Sequence, residues 1–228
     1  MPTKVDLLDH GYVELVDVWG SDEDIVRAAR MSTNKGFQGW EKDEKLLAYL
    51  YNHKHMTPFE MAGMIIEVQA PIFVFREWMR HRSMSYNELS ARYTPLPDIN
   101  YIPSIDRLMI NAGGGNKQAW TIKDAKELTE TNARAFQVAL AEKYRDCEFL
   151  YREALADGVP KELARVCIPV GRYSRMRASA NLRNWLAFLT LRMDENAQLE
   201  IRLYAEAAAN MLRGSFPKTM RLFDDSRN

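Results

Sequence analysis

The sequence predicts a single α+β domain spanning residues 1–228. Three observations carry that expectation. Short β-branched, alternating segments occur at residues 13–18, 66–69 and 173–180. Much longer segments with helical apolar spacing occur at 121–156, 182–193 and 197–212. No internal repeat and no Pro/Gly/Ser-rich linker divides the chain, so one core is the economical reading.

The elements follow in chain order. Val13 and Leu15 flank Glu14, and Val16 and Val18 flank Asp17, the period-2 pattern of a half-buried strand. The alternation changes phase at Leu15-Val16, which predicts a bulge there. Ser21 reads as the N-cap of a helix through Ile25, Ala28 and Ala29, and Asp24 stands where a capping box has its acid. Residues 41–53 set Leu46, Leu47, Tyr49 and Leu50 among charges as a helix, and Thr57-Pro-Phe-Glu60 follows as a cap or turn. Residues 66–69 return to strand alternation. Pro71 suits the first turn of the next helix, where its missing N–H costs nothing, and that helix carries Phe73, Phe75 and Trp78 towards Arg80. Pro95, Pro97 and Pro103 forbid long regular structure, and residues 101–120 read as a flexible loop around Asn111-Ala-Gly-Gly-Gly-Asn116. Gly158-Val-Pro160 stops the long helix, residues 161–166 form a further turn or two, and Gly214 reads as the C-terminal stop of the last helix.

Composition excludes several function classes. The 228 residues carry 31 Lys+Arg against 31 Asp+Glu, with 46% hydrophobic and 27% charged residues. This is a globular balance, and zero net charge argues against a general polyanion binder. No run of about 18 apolar residues exists, so no membrane span is expected. The first residues, Met-Pro-Thr-Lys-Val-Asp, lack a signal-peptide apolar core. The two cysteines, Cys147 and Cys167, form neither a disulfide framework nor a metal knuckle. They read as small buried hydrophobes in a soluble cytoplasmic protein with reduced thiols.

Two segments break the charge balance. Arg80-His-Arg-Ser-Met-Ser-Tyr-Asn-Glu-Leu-Ser-Ala-Arg-Tyr93 is rich in hydrogen-bond donors and poor in core-forming residues. Arg presents a planar, permanent cation that fits phosphate bidentately, and Ser hydroxyls complete such a cradle. The plain alternative is a solvated loop or helix face with Glu88–Arg92 pairing. Residues 163–193 hold Arg165, Arg172, Arg175, Arg177, Arg183 and Arg192 with no Asp, Glu or Lys. An anionic ligand is one reading, and pairing with carboxylates from the long helix is the other. Nucleic acid and a nucleotide both remain candidate ligands, although the aromatics form no alternating stacking platform. The triple glycine at 113–115 is neither a P-loop nor a dinucleotide fingerprint, and no metal site is indicated.

Residues 80–93 match Arg-His-Arg-x-x-Ser-x-Asn-Glu-x-Ser-x-Arg-Tyr at every specified position. That pattern resembles the signature of the flavin-dependent thymidylate synthases. His55-Met-Thr-Pro-Phe-Glu60, Ala164-Arg-Val-Cys-Ile-Pro169, and Asn181-Leu-Arg183 with Leu191-Arg192 resemble further elements of that family. The similarity reaches from about residue 10 to about residue 213.

The resemblance implies a small, mostly antiparallel sheet packed against long helices, assembled as a homotetramer with sites shared between subunits. It implies dTMP synthesis from dUMP, with methylenetetrahydrofolate as carbon donor and FAD reduced by NADPH. Nucleic acid and membranes are not among the partners it implies. Glu77, Arg80, Glu88, Ser90, Ala91, Arg92, Arg165 and Arg192 are expected at dUMP, with Arg192 as the catalytic cation facing the uracil ring. Thr57, Arg80, His81, Arg82, Glu88, Asn181 and Arg183 are expected at FAD, and His55 near the folate. No enzyme nucleophile is expected. The chain departs from the family at Glu77, where Gln is common, at Ala187, where Asn is common, and at Asn196, where His is common. A nucleic-acid-binding module and a family member that binds without turnover are the alternative readings.

Overall fold

A computed structural model describes residues 3–110 and 127–227. They form one α+β domain around a five-stranded, fully antiparallel sheet in the order β1-β2-β3-β5-β4. The strands are β1 (Lys4–Leu7), β2 (Gly11–Trp19), β3 (Gly63–Pro71), β4 (Ser85–Glu88) and β5 (Tyr173–Asn181). The helices are α1 (Asp22–Arg30), α2 (Trp40–Asn52), α3 (Ile72–Trp78), α4 (Ile105–Met109), α5 (Glu130–Ala156), α6 (Lys161–Ala164), α7 (Leu182–Arg192), α8 (Leu199–Ser215) and α9 (Pro217–Asp225). Short 3₁₀ turns at Thr57–Met61 and Arg165–Cys167 complete the frame near the residues of interest.

The predicted strand at 13–18 lies inside β2, and its register slips between Leu15 and Asp17, where the change of phase was read. Ser21 caps α1, its hydroxyl oxygen accepting from the Asp24 N–H. Pro71 precedes α3 as its N-cap residue. Four expectations need correction. The edge strands β1 and β4 fall where no strand was expected: each has only four residues, β1 alternating over the single cycle Lys4-Val5-Asp6-Leu7 and β4 offering Tyr86 alone, and each pairs along one side only. The helix expected from residue 121 begins at Glu130, with the Thr129 hydroxyl oxygen accepting from Asn132 N–H as its cap; residues 121–126 lie outside the described residues. Gly214 does not end α8, which continues to Ser215 before Pro217 opens α9. Within the expected loop 101–120, residues 105–109 are helical, and Tyr101 is buried with its hydroxyl donating to Glu200 at 3.0 Å. The glycine-rich centre, 111–116, lies outside the described residues.

One sheet face carries the core. Val13, Met64, Ile66, Val68, Ala70, Met176, Ala178 and Ala180 are buried under α3, α7 and α8. Gly63 sits where a Cβ would strike the Trp19 ring and the Ala180 carbonyl, so β3 can pass between β2 and β5 only without a side chain there. α7 is tied to the sheet by the Trp185 indole N–H, which donates to the Met64 carbonyl at 3.0 Å. α3 is tied to α7 by Trp78 stacked on Phe188, centroids 4.7 Å apart at 25°. Such a pair is worth about 0.5–1.5 kcal/mol beyond its buried area. That packing sets the C-terminal turn of α3 against the C-terminal turn of α7.

A buried ion pair fixes the other side. Arg172, fully buried, donates to Glu148 on α5 at 2.5 Å and to the Pro97 carbonyl at 2.8 Å. It therefore joins α5, the 97–101 stretch and the start of β5. Replacing Arg172 with Ala should cost about 1.5–3 kcal/mol, because it removes the buried cation's bonds and leaves Glu148 only the exposed Arg152, 2.5 Å away. Urea unfolding measures this, and a loss below about 1 kcal/mol would contradict the structural role.

Candidate active site

The candidate residues gather in three places on the described chain. The first is the junction of α3 and α7. Arg192, the last residue of α7, is held at each guanidinium nitrogen. Its Nε–H donates to His81 Nε2 at 3.0 Å, NH1 to the Glu77 carboxylate at 2.7 Å, and NH2 to the Glu77 carbonyl at 2.8 Å. Glu77 belongs to the last turn of α3, so the Trp78–Phe188 stack is what brings it to Arg192 across 115 residues of chain. The cation also lies at a helix C-terminus, where the dipole favours it.

His81 completes this group. Its ring meets Phe188 edge-on at 4.9 Å. Burial and then the Arg192 charge lower its pKa to about 4, so the ring is neutral at physiological pH. Because Nε2 accepts from Arg192, the ring proton belongs on Nδ1. The Tyr86 hydroxyl is shared between the Trp78 and His81 carbonyls, at 3.0 and 2.8 Å, and burial pushes its pKa up to about 12. Burial raises the Glu77 carboxyl above its usual range, against the opposing effect of Arg192, with Glu200 adding to the rise.

The second place is a shallow cleft of about 290 Å³ on the exposed face of the sheet, lined by Glu67, Asn87, Glu88, Leu89, Arg175, Met176 and Arg177. Glu88 ends β4, and burial raises its carboxyl pKa. Glu67 accepts from the Tyr12 hydroxyl at 2.8 Å, the main reason its own pKa is lowered. Arg175 and Arg177 were not expected at the site individually. The period-2 pattern of Tyr173–Asn181 carried the signal, since it sets both on the solvent face.

The third place follows directly. After Leu89 N–H donates to Arg175 O at 2.8 Å, the chain turns through Ser90, Ala91 and Arg92. Arg92 N–H donates to Ser90 Oγ at 3.3 Å, and Ala91 is buried. Arg92 pairs with Glu162 on α6 at 3.4 Å rather than with Glu88. Arg165 lies at the same short helix, its Nε donating to the Glu162 carbonyl at 3.4 Å. Lys161 also joins, donating to the Tyr93 carbonyl at 3.0 Å. Lys161 and Glu162 were missed because an ordinary charged helix start gives no local sign of what it faces.

The remaining expected residues lie elsewhere. Arg183 pairs with Glu60, just after exposed Thr57, and the Asn181 side-chain oxygen caps α7 by accepting from Asn184 N–H. His55 is exposed, edge-on to Tyr49 at 5.7 Å. Arg80 and Arg82 are exposed and have no carboxylate partner among the described residues. Cys147 and Cys167 are half-buried rather than buried, and burial pushes the Cys167 thiol up, away from an activated thiolate. Among the described residues no group of His, Cys, Asp and Glu is placed to hold a metal ion. No helix among them is long and apolar enough to cross a membrane.

The His81 pKa has a testable consequence. It lies below the ordinary 6.5 of an unfolded histidine, so the unfolded chain binds the proton more readily. This stabilising contribution is complete above about pH 6.5 and is lost as pH falls through about 4. Arg192→Ala should raise the His81 midpoint only partway, since burial is the larger cause. Imidazole NMR titration measures it, and an unmoved midpoint would contradict the contact.

Comparison with known proteins completes the picture. The family described as "Thymidylate synthase complementing protein" matches residues 14–218. The flavin-dependent thymidylate synthase of Thermotoga neapolitana is 40% identical over 220 residues, covering 96% of this chain and 94% of its own. That of Thermosipho africanus is 39% identical, covering 95% and 92%. The crystal structure of the UMP/dUMP methylase PolB from Streptomyces cacaoi, bound with 5-Br dUMP, superposes with a TM-score of 0.83 at 30% identity and 97% coverage of both chains. With the match spanning both Arg-rich segments and the sheet that displays them, the chain is an enzyme of the flavin-dependent thymidylate synthase family.

Proposed function

We propose that this enzyme methylates dUMP to dTMP, with methylenetetrahydrofolate as the carbon donor and NADPH as the reductant of a bound FAD. The observation that carries this reading is the turn at Ser90-Ala91-Arg92, whose Arg92 meets Glu162 of α6, the residue whose carbonyl also accepts from Arg165. A hydroxyl, a tight backbone turn and two Arg forks are the donor set a nucleotide phosphate requires.

In this reading Arg192 faces the pyrimidine. A fixed cation there stabilises negative charge as it develops on the ring, which is electrostatic preorganisation rather than covalent catalysis. Glu77, Arg80 and Glu88 line the nucleotide. Arg80, His81, Arg82, Glu88, Thr57, Asn181 and Arg183 would hold the flavin, and His55 would stand near the folate. The fit is supported by Arg80 and Arg82, exposed cations that pair with no carboxylate among the described residues and suit an anionic cofactor. When bound, the flavin supplies the redox chemistry. The residues of this chain bind, orient and polarise. No thiol or hydroxyl is given a nucleophile's role, since among the described residues no base is bonded to the Ser90 hydroxyl and the Cys167 pKa is raised, not lowered.

The Arg192 group and the Ser90–Arg165 group share no hydrogen bond or ion pair among the described residues. The homotetramer with sites shared between subunits is proposed from the family resemblance.

The purified protein should be yellow and should oxidise NADPH only with dUMP and the folate present; UMP is run in parallel. A protein that fails to take up FAD counts against the reading. Arg192→Ala should abolish dTMP formation while FAD stays bound, and normal turnover would sink its assigned role. Arg92→Ala should raise the dUMP requirement about ten- to a hundredfold, as charge-assisted bonds of roughly 1.5–3 kcal/mol are lost. An unchanged requirement would contradict the phosphate assignment.

A further inference from the structure

Each nitrogen of the Arg192 guanidinium has one protein partner, which leaves one N–H on NH1 and one on NH2 without a protein partner among the described residues. Nε is taken by a neutral imidazole, NH2 by a backbone carbonyl, and NH1 by the Glu77 carboxylate at 2.7 Å. The Arg192 side chain is 13% exposed and that of Glu77 is 29% exposed, so the pair is only partly screened by water. Two of the three partners are neutral and supply geometry alone. Glu77 is the one that also supplies charge.

We propose that Glu77 is a positioning residue that both aims the Arg192 guanidinium and attenuates its positive charge, setting how strongly the site favours the anionic form of a bound pyrimidine. This rests on the reading that Arg192 faces the ring. An arginine that meets the ring with its own counter-ion attached presents less net charge than one held by neutral groups only. The field at the ring is then set by a pair, and one member is replaceable without loss of shape. The charged groups acting on Glu77 are Arg192 from α7 and, through space, Glu200 from α8, while His81 from the turn after α3 meets the other side of Arg192. Glu200 is itself bound to Arg107 at 2.7 Å, so Arg192 is the cation that Glu77 pairs with.

A glutamine at 77 keeps an oxygen acceptor for NH1 and the same backbone carbonyl for NH2, so the aim is kept while the charge is removed. The probe is 5-fluoro-dUMP bound to the holoenzyme. Its electron-withdrawing substituent brings N3–H ionisation into an accessible pH range, and ionisation changes its ultraviolet spectrum. In Glu77→Gln the midpoint for N3–H ionisation of the bound analogue should fall by about one pH unit, a tenfold shift towards the anion. In Arg192→Ala it should rise above the wild-type value. A purely structural role for Glu77 would alter affinity but not this midpoint. Equal midpoints in wild type and Glu77→Gln, with Arg192→Ala raised, would overturn the attenuation and leave the site reading intact. No shift in Arg192→Ala, or no binding of the analogue to wild type, would overturn the site reading and the proposal with it. His81 gives a ligand-free check. Its imidazole midpoint should fall further in Glu77→Gln, because the neighbouring cation is no longer offset, and a rise would show that Arg192 has swung away and would overturn the proposal.

Discussion

The stack of Trp78 on Phe188 is the contact on which the active-site geometry depends. α3 follows β3 and α7 follows β5, and those strands are neighbours in register from Gly63–Asn181 to Pro71–Tyr173. The two helices therefore leave the sheet from opposite ends. Only side-chain packing across the covered face determines how they meet. Trp78 and Phe188 make that meeting, and Trp185 anchors α7 below it through Met64. Glu77 and Arg192 are the residues that this packing presents at the rim. Aromatic burial, which has no chemical role of its own, thus positions the charges that do.

Net neutrality has a specific structure in this chain. The Arg-rich stretch 163–193 has no carboxylate of its own, yet four of its arginines find one far away in sequence: Arg172 with Glu148, Arg177 with Glu67, Arg183 with Glu60 and Arg192 with Glu77. The carboxylate-pairing reading of that stretch holds for these four. Arg172 is wholly interior and serves α5 and β5, as the carboxylate-pairing alternative required. Arg165 is exposed and pairs with no carboxylate among the described residues, the condition an anion site needs.

What could be read in the sequence follows from how local each signal is. β2, β3 and β5 carry their alternation within themselves because one face of each is buried, so their existence was legible, and so was the bulge in β2. Ser85–Glu88 carries no such imprint, and Lys4–Leu7 alternates over only four residues, too short a run to stand out. Their strand character resides in the partner's hydrogen bonds. Gly214 misled because a glycine marks a helix end only when the chain leaves the helix there, and here Phe216 makes the break one turn position later. At the site, residues 80–93 were legible as a contiguous motif. The contacts of Arg192 were not, since they depend on α3–α7 packing over 115 residues. The same holds for the meeting of Arg92 with Glu162.

The candidate-site arginines differ in how much they need a counter-ion before a ligand binds. Arg80, Arg82 and Arg165 are exposed, so water satisfies their charge and a partner would contribute little. They gain strength only when a ligand displaces that water, because the same charge acts more strongly at lower dielectric. Arg192 is different. It is already largely out of water at the end of a packed helix, where an uncompensated cation is costly. It must therefore be paired in the resting enzyme, and the partner must sit close enough to hold it and yet leave it able to act on a ring placed against it. Glu77, with a carboxylate on one guanidinium nitrogen and its own carbonyl on another, meets both conditions from a single residue. The resting stability of Arg192 and its strength towards a bound pyrimidine are then two consequences of one ion pair, and strengthening either weakens the other.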